Sequence, residues 1–337
     1  MAPIGALPWP AAKLAWLAVL LAAFCLTVWA LIRTAAFRLD EPRTIAFVAG
    51  CLALAPFHTG IAAANQTILV VGLCALGVFA ATGEHDFVAG LLFGAACSLK
   101  PHIGSFLVLY YLIQRRWRLF ITAVSFTVLL VLIAVGWMQI HGVSWRADFF
   151  HNVSVLTEQN TIDDFTSANP IRFLLINLQV PFYSFTHQGK SANLLALSCG
   201  ALLICIWMYL VLRVGSRKPR DFALLALAAI AVIGLLPLYH RLYDASLLAI
   251  PLCWCLTCPS ERLKNLSFAG LVLMLPFAFP TAAILQQAAR SQQVPGWLVQ
   301  SWAWERIIMP HETYLLVALS IVLLRAISLM RYEETTL

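Results

Sequence analysis

Charged residues are scarce in this sequence. Asp, Glu, Lys and Arg make up 11% of its 337 residues, whereas hydrophobic residues make up 61%. A soluble domain carries roughly 25% charged residues, so this chain has too few to cover a surface that faces water. The scarcity excludes a soluble globular protein and predicts an all-α, polytopic transmembrane helical bundle.

The sequence also lacks cysteines in its long loops. All nine cysteines lie in or at the ends of apolar segments, which excludes an extracytoplasmic disulfide framework. Cys253, Cys255 and Cys258 cluster near the end of one apolar segment. Either they have a metal or redox role, or they pack as small apolar side chains. We predict no bound metal and no cofactor.

Apolar segments recur from one end of the chain to the other. A helix needs ~20 apolar residues to cross the hydrocarbon of a bilayer. Nine segments qualify, at about 11–32, 44–57, 66–82, 118–138, 192–213, 221–238, 245–258, 266–285 and 312–330. Two shorter apolar helices, about 86–98 and 101–113, flank Lys100-Pro101. We therefore predict one integral membrane domain over residues 1–337, with long loops at about 139–191 and 286–311.

Positive charge predicts the orientation, because Lys and Arg are in excess on the cytoplasmic side of membrane proteins. The basic clusters are Arg33, Arg38 and Arg43; Arg115, Arg116 and Arg118; Arg213, Arg217, Lys218 and Arg220; Arg262 and Lys264; and Arg325 and Arg331. If all are cytoplasmic, the chain between Asp86 and Arg115 must enter the membrane and return. Lys100-Pro101 is then the turn of a helical hairpin. The net charge of +7 reflects this orientation, and no nucleic-acid partner is predicted.

The two long loops then lie on the outer face. In the first, Asn169 is suited to cap a helix with Pro170 at its first position, and the short apolar run behind them predicts an interfacial helix. The second loop is rich in Gln and Trp. Its tryptophans form either an aromatic belt at the headgroup level or a platform for a sugar or lipid.

Polar side chains interrupt the apolar pattern in three places on the outer face. Ionisable groups inside spans cost roughly 2.5–3.5 kcal/mol each, so they are candidates for function. The three places carry Lys100 and His102; Tyr239, His240, Arg241, Tyr243 and Asp244; and His58, Asn65 and Gln66.

Each place has a functional and a structural interpretation. Lys100, with Arg241 and His240, can bind a phosphate, whereas Asn65 and Gln66 suit sugar hydroxyls. Alternatively, Lys100 extends to the membrane surface, Arg241 pairs with Asp244, and the amides cap a helix. Together the three places predict a site for a ligand with an anionic head and an apolar tail, such as a polyprenyl phosphate.

Three stretches resemble glycosyltransferase family 87. They are ANQT…GEHDFVAGLLFG…CSLKPHIG…QRRWR (64–118), SWRADFFHNV…TSANPIRFLL (144–175) and LPLYHRLYDASLLAIPL (236–252). The resemblance implies a GT-C fold in the cell (inner) membrane, with its active face extracytoplasmic. It also implies inverting transfer of a hexose, with mannose as the expected sugar, from a polyprenyl-phosphate sugar donor to a lipid or glycan acceptor.

Within this chemistry we assign Lys100, His240 and Arg241 to the lipid phosphate, with Asn65 and Gln66 as candidate sugar contacts. The resemblance implies that cations stabilise the leaving phosphate. It does not assign the base. The family has an initial helix and an outer loop that carries the catalytic Asp, and this sequence begins after both. Asp163, Asp164 and Asp244 are the substitutes available for the base.

The positive clusters independently place Met1 outside the membrane, and the first residues have neither a basic region nor a cleavage site of a signal peptide. We therefore expect the sequence to be the continuation of a longer chain. A competing hypothesis is a non-catalytic protein for lipid binding or transport, or an inactive truncated relative, which would use the same anion site without a base.

Overall fold

The computed structural model describes residues 6–156, 161, 163–214, 220–257 and 260–330. Within these residues the chain forms α-helices joined by short turns, and it contains no β-strand. This confirms the all-α bundle. Glu158, Arg217, Lys218, Cys258 and Arg331 lie outside the described residues, as does Met1.

The helices are numbered here in chain order. They are α1 (Trp9–Thr34), α2 (Pro42–Ala53), α3 (Ala55–Ala62), α4 (Thr67–Thr82), α5 (Asp86–Leu99), α6 (Pro101–Ile113), α7 (Trp117–Ile140), α8 (Trp145–Leu156), α9 (Gln179–Thr186), α10 (Gly189–Arg213), α11 (Arg220–Gly234), α12 (Ala249–Thr257), α13 (Glu261–Met274), α14 (Thr281–Arg290), α15 (Gly296–Val299) and α16 (His311–Met330). Short 3-10 segments cover Arg172–Leu174, Leu242–Leu248 and Leu275–Ala278, and a π-helical turn covers Trp304–Ile308.

Four helices are long and apolar enough to cross a membrane: α1, α7, α10 and α16. Two bent pairs, α2 with α3 and the Glu261–Ala278 segment with α14, raise the number to six if each pair is one span. The other predicted spans correspond to apolar helices of 10–17 residues. The multi-pass architecture is therefore confirmed, whereas the count of nine spans stays a prediction.

The predicted span at 44–57 is broken by a proline. The chain bends by 45° between α2 and α3. Pro56 has no N–H to donate to the carbonyl four residues earlier, which belongs to Leu52. The His58 ring bonds that carbonyl through Nε2 instead. This satisfies a backbone group that lipid could not hydrate, and it gives His58 a structural role. The predicted span at 266–285 bends by 42° in a segment that contains Pro276 and Pro280.

The predicted hairpin of α5 and α6 is confirmed by a contact between its two ends. Arg116, which follows α6, forms an ion pair with Asp86 at the start of α5, and it also donates to the carbonyl of Ala81. The entry and exit of the segment therefore lie side by side. At the turn, Lys100 has an extended backbone (φ −142°, ψ 87°), the conformation that the following Pro101 favours.

The predicted interfacial helix at Asn169 is wrong. Residues Arg172–Leu174 form one 3-10 turn, and Leu175 pairs with Arg241 in an isolated antiparallel bridge. The N–H of Ile176 then donates to the carbonyl of His240, at 3.0 Å. The apolar run was predicted to lie on the membrane surface, but backbone bonds to the 236–241 segment bury it inside the protein instead.

Helix α11 forms the centre of the bundle. Nearly all its side chains from Phe222 onward are buried, as expected of a helix that is hydrophobic on every side. Trp207 of α10 donates its indole N–H to the carbonyl of Ala226, at 2.9 Å. At the end of α11, a Cβ on Gly234 would lie 2.7 Å from the Phe106 ring of α6. The chain leaves this tightly packed helix end and enters the polar segment 239–244.

Two further sequence alternatives can be placed on the structure. Cys253 and Cys255 are buried, with Cys253 against the carbonyl of Leu31, so both pack in the core.

In the second long loop, Trp297 and Trp302 are exposed whereas Trp304 is buried. Exposure of the first two fits both the aromatic belt and the ligand platform.

Candidate functional site

The candidate site forms where the start of α4, the hairpin turn and the Leu242–Leu248 segment meet. Its centre is Asp244, whose side chain is 1% exposed. Lys100 Nζ lies 2.8 Å from Asp244 Oδ1, and the Thr67 hydroxyl lies 2.8 Å from the same oxygen. Lys100 Nζ also lies 2.6 Å from Thr67 Oγ1. Thr67 and Asp244 are 33 and 144 positions away from Lys100 in the sequence, and the three residues form one buried ionic cluster.

The second oxygen of Asp244 faces the polar turn. The backbone N–H of Arg241 donates to Oδ2 at 3.0 Å, and His240 Nδ1 lies 3.3 Å from it. The His240 side chain is fully buried, and its Nε2 lies 3.1 Å from the carbonyl of Gly234. Asp244 is therefore surrounded by three donor groups and a ring nitrogen of His240, and such bonds are the condition for holding a carboxylate in a dry interior.

The local sequence explains how these groups meet. Asn65 Oδ1 accepts bonds from the N–H and hydroxyl of Thr67 at 3.0 and 2.7 Å, so it caps α4 and directs the hydroxyl. Gln66 Nε2 donates to the carbonyl of Leu99 at 3.2 Å, which joins the start of α4 to the hairpin turn. Asn65 therefore performs the capping role that was one of its two interpretations, while Gln66 fixes the position of Lys100.

An outer layer covers the cluster. Lys100 Nζ lies 4.9 Å from the centre of the Tyr243 ring, and the Arg241 guanidinium lies 6.0 Å from that of Tyr239. Both distances are in the range of cation–π contacts. Burial and a hydrogen bond to Asp163 raise the pKa of Tyr239, because both favour the neutral phenol. The long loop at about 139–191 thus reaches the site through Asp163.

The three candidate bases lie in different environments. Asp244 is held by the donors described above. Asp164 is buried and accepts bonds from the N–H and hydroxyl of Thr166, at 2.8 and 2.9 Å, so it stabilises a loop turn. Asp163 has one buried carboxylate oxygen, Oδ1, without a hydrogen-bond partner among the described residues. Of the three, only Asp163 has a buried carboxylate oxygen that no group among the described residues bonds.

Two structural alternatives from the sequence need correction. Lys100 does not extend to the membrane surface, since its side chain is 12% exposed and its ammonium binds Asp244. The expected pairing of Arg241 with Asp244 occurs through the Arg241 backbone N–H, and the cation beside the carboxylate is Lys100. The sequence identified the charged residues but did not predict that Lys100 would pair with Asp244.

Sequence reasoning missed Thr67 and gave no role to His102. Thr67 contacts both ions of the pair, but a threonine at a helix start looks like an ordinary capping residue. The ring of His102 packs edge-on against that of His240, with centroids 4.9 Å apart. Possible metal-ligating atoms of His102, His240 and Asp244 all lie within 4.8 Å of one another, so these three residues could hold an ion. Their convergence depends on the tertiary fold, and no local motif encodes it.

The site contains groups of the kind that bind anions. Lys100 and Arg241 supply two cationic side chains, and Lys100 is bound to the carboxylate of Asp244. An ammonium and a guanidinium beside buried donors are the groups that bind phosphate in proteins.

The comparison with known families agrees with this geometry. The model of glycosyltransferase family 87 matches residues 1–239. The match includes the hairpin with Lys100 and the outer loop with Asp163, and it ends just before His240. No curated protein and no solved structure gives a significant match. Because the matched region covers well over half of the chain, this protein belongs to glycosyltransferase family 87.

Proposed function

We propose that this membrane glycosyltransferase-family protein transfers a hexose, mannose in the first instance, from a polyprenyl-phosphate sugar to a lipid or glycan acceptor on the extracytoplasmic face. The observation that carries the proposal is the buried cluster of Lys100, His240 and Asp244, with Arg241 beside it. Its cations are enclosed by apolar helices, which suits a donor with an anionic head and a long apolar tail.

The phosphate is the group for which the cluster is best suited. Bond cleavage between the anomeric carbon and the phosphate oxygen leaves negative charge on the lipid phosphate. Fixed positive groups that face the developing charge lower the barrier, because they need not reorganise during the reaction. We assign this role to Lys100 and Arg241; the sequence also assigned His240 to the phosphate, but both of its ring nitrogens already face protein groups, Asp244 and the Gly234 carbonyl. Asp244 holds Lys100 and His240 in place.

The sugar would lie beside the start of α4. Asn65 uses Oδ1 to cap the helix, and Gln66 uses Nε2 to bond Leu99. The amide atoms that remain for sugar hydroxyls are Nδ2 of Asn65 and Oε1 of Gln66. Both residues are thereby fixed by the fold before any ligand binds, which lowers the entropy lost on binding.

Inverting transfer also requires a base. The acceptor oxygen attacks the anomeric carbon, the carbon–phosphate oxygen bond breaks, and the acceptor proton passes to a carboxylate. Asp163 is the first candidate, because one of its oxygens has no hydrogen-bond partner among the described residues. Asp244 is a poor base because its carboxylate already binds Lys100 and His240, and Asp164 is committed to its turn.

The test is transfer of labelled mannose from a polyprenyl-phosphate donor by the purified protein in lipid vesicles, with cell-derived lipids as acceptors. We expect transfer that falls at least ~100-fold in Asp163→Asn, since a positioned base contributes roughly 10²–10⁴-fold. Asp148→Asn is the matched control, because Asp148 is an exposed carboxylate of the same loop. Specific binding of the donor without any transfer would support the non-catalytic alternative instead.

A further inference from the structure

His240 and Asp244 face each other in a way that requires a positive species between them. Nε2 of His240 must carry a hydrogen to donate to the Gly234 carbonyl, 3.1 Å away. In a neutral ring, Nδ1 would then present a lone pair to Asp244 Oδ2 at 3.3 Å. Two lone pairs in contact repel each other. Either a proton or a metal ion therefore occupies the space between these two atoms.

A third ligand favours the metal ion. The ring of His102 lies edge-on to that of His240, and its ligating nitrogen lies within 4.8 Å of the other two ligand atoms. A shared proton makes no use of His102, whereas a metal ion would be bound by all three side chains. We propose that His102, His240 and Asp244 form a binding site for a divalent transition-metal ion of the Zn²⁺ class.

The ligand set and its surroundings agree with this class of ion. Two imidazoles and one carboxylate, with an open position, form a recurrent Zn²⁺ site. The bond from His240 Nε2 to a backbone carbonyl is the second contact that metal-bound histidines usually make. His102 is only partly buried, so its ring is less tightly confined than the fully buried ring of His240.

Lys100 does not compete for the same oxygen. Its ammonium binds Asp244 Oδ1 together with Thr67, while Oδ2 faces His240. The carboxylate thus bridges an ammonium on one side and the ion site on the other. An anionic ligand, such as the donor phosphate in the proposed reaction, would complete the coordination shell of the ion. Only this last step rests on the proposed function, because ion binding needs no donor.

The experiment is titration of the metal-free protein with Co²⁺, which reports its coordination by visible absorption. The full chain is purified in detergent with an affinity tag that contains no histidine, and no sugar donor is added. We expect about one Co²⁺ per chain, displaced by Zn²⁺. The affinity should fall more than ~10-fold in His102→Ala, a loss of the size seen when metal sites are perturbed.

Matched variants separate the site from unspecific binding. His151→Ala removes an exposed histidine of α8 and should bind Co²⁺ like the wild type. His102→Gln provides a second, hydrogen-bonding variant if His102→Ala elutes as an aggregate. Absence of a Co²⁺ absorption band in the wild type would overturn the proposal and would place a proton between His240 Nδ1 and Asp244 Oδ2. Equal Co²⁺ affinity in the His102 and His151 variants would also overturn it. Neither result depends on whether sugar transfer is detected.

Discussion

At the scale of single residues, the site depends on how one buried carboxylate is neutralised. Asp244 receives the Lys100 ammonium, the Thr67 hydroxyl, the His240 ring and the Arg241 N–H. A buried ion pair adds little net stability, but loss of one partner leaves an uncompensated charge in a dry interior. Lys100 and Asp244 should therefore tolerate joint replacement better than single replacement.

Lys100→Met tests this dependence. We expect the single variant to lose ~3–5 kcal/mol of stability, the usual effect of breaking a buried pair. The double variant Lys100→Met/Asp244→Asn should recover most of the loss, because no unpaired charge remains. Unfolding of the detergent-solubilised proteins provides the measurement, and Lys190→Met, at an exposed lysine, is the control. A double variant as unstable as the single one would show that the pair does not stabilise the fold as described.

The same residues show what a sequence can reveal about a site. Lys100, His240 and Asp244 were recognisable because each is costly in an apolar segment. Their pairing was not recognisable, since Lys100 and Asp244 are 144 positions apart. From the sequence, the neighbouring Arg241 was the obvious partner for Asp244. The structure assigns Lys100 instead, because the hairpin turn inserts it beside the Leu242–Leu248 segment.

At the scale of elements, charge patterns predicted the topology better than apolar runs predicted helices. The basic cluster at Arg115–Arg118 required a hairpin, and the contact between Arg116 and Asp86 confirms it. The apolar run after Asn169 was interpreted as an interfacial helix, but it forms a 3-10 turn followed by an isolated bridge, and the N–H of Ile176 donates to the carbonyl of His240. Local hydrophobicity cannot distinguish burial against lipid from burial against another segment of the chain.

The hairpin also leads to a prediction about sidedness. Its two ends, at Gly83–Asp86 and Arg115–Arg118, should both face the cytoplasm, because basic loops are retained there. In a cysteine-free background, Glu84→Cys and Arg115→Cys should both resist an impermeant maleimide added outside intact cells. Ser144→Cys, in the outer loop, should react and thereby serves as the control. Labelling of only one hairpin end would contradict the ion pair, which requires both ends on the same side of the membrane. Labelling of both ends would show that the protein has the opposite orientation.

At the scale of the whole molecule, the hairpin determines the depth of the site. Helix α5 has 14 residues, which rise ~21 Å from the ion pair at its base to Lys100. The hydrocarbon of a bilayer is ~30 Å thick. If the base lies at the cytoplasmic surface, the cluster lies in the outer half of the membrane, below the headgroups. A ligand would therefore reach it from the lipid phase, with its anionic head drawn inward by Lys100 and Arg241.

Ligand-dependent stability provides a test of that arrangement for the whole protein. A ligand that binds only the folded state at 100 times its dissociation constant adds ~2.7 kcal/mol of stability. Polyprenyl phosphate should therefore raise the unfolding temperature more than polyprenol, which has the same tail without the charge. The difference should shrink clearly in Lys100→Met/Asp244→Asn, because a charge-assisted bond contributes ~1.5–3 kcal/mol, a loss of at least ~10-fold in affinity. Lys190→Met should retain it. Equal stabilisation by the phosphate and the alcohol would show that the tail alone is recognised, and the buried cations would then serve the fold rather than the ligand.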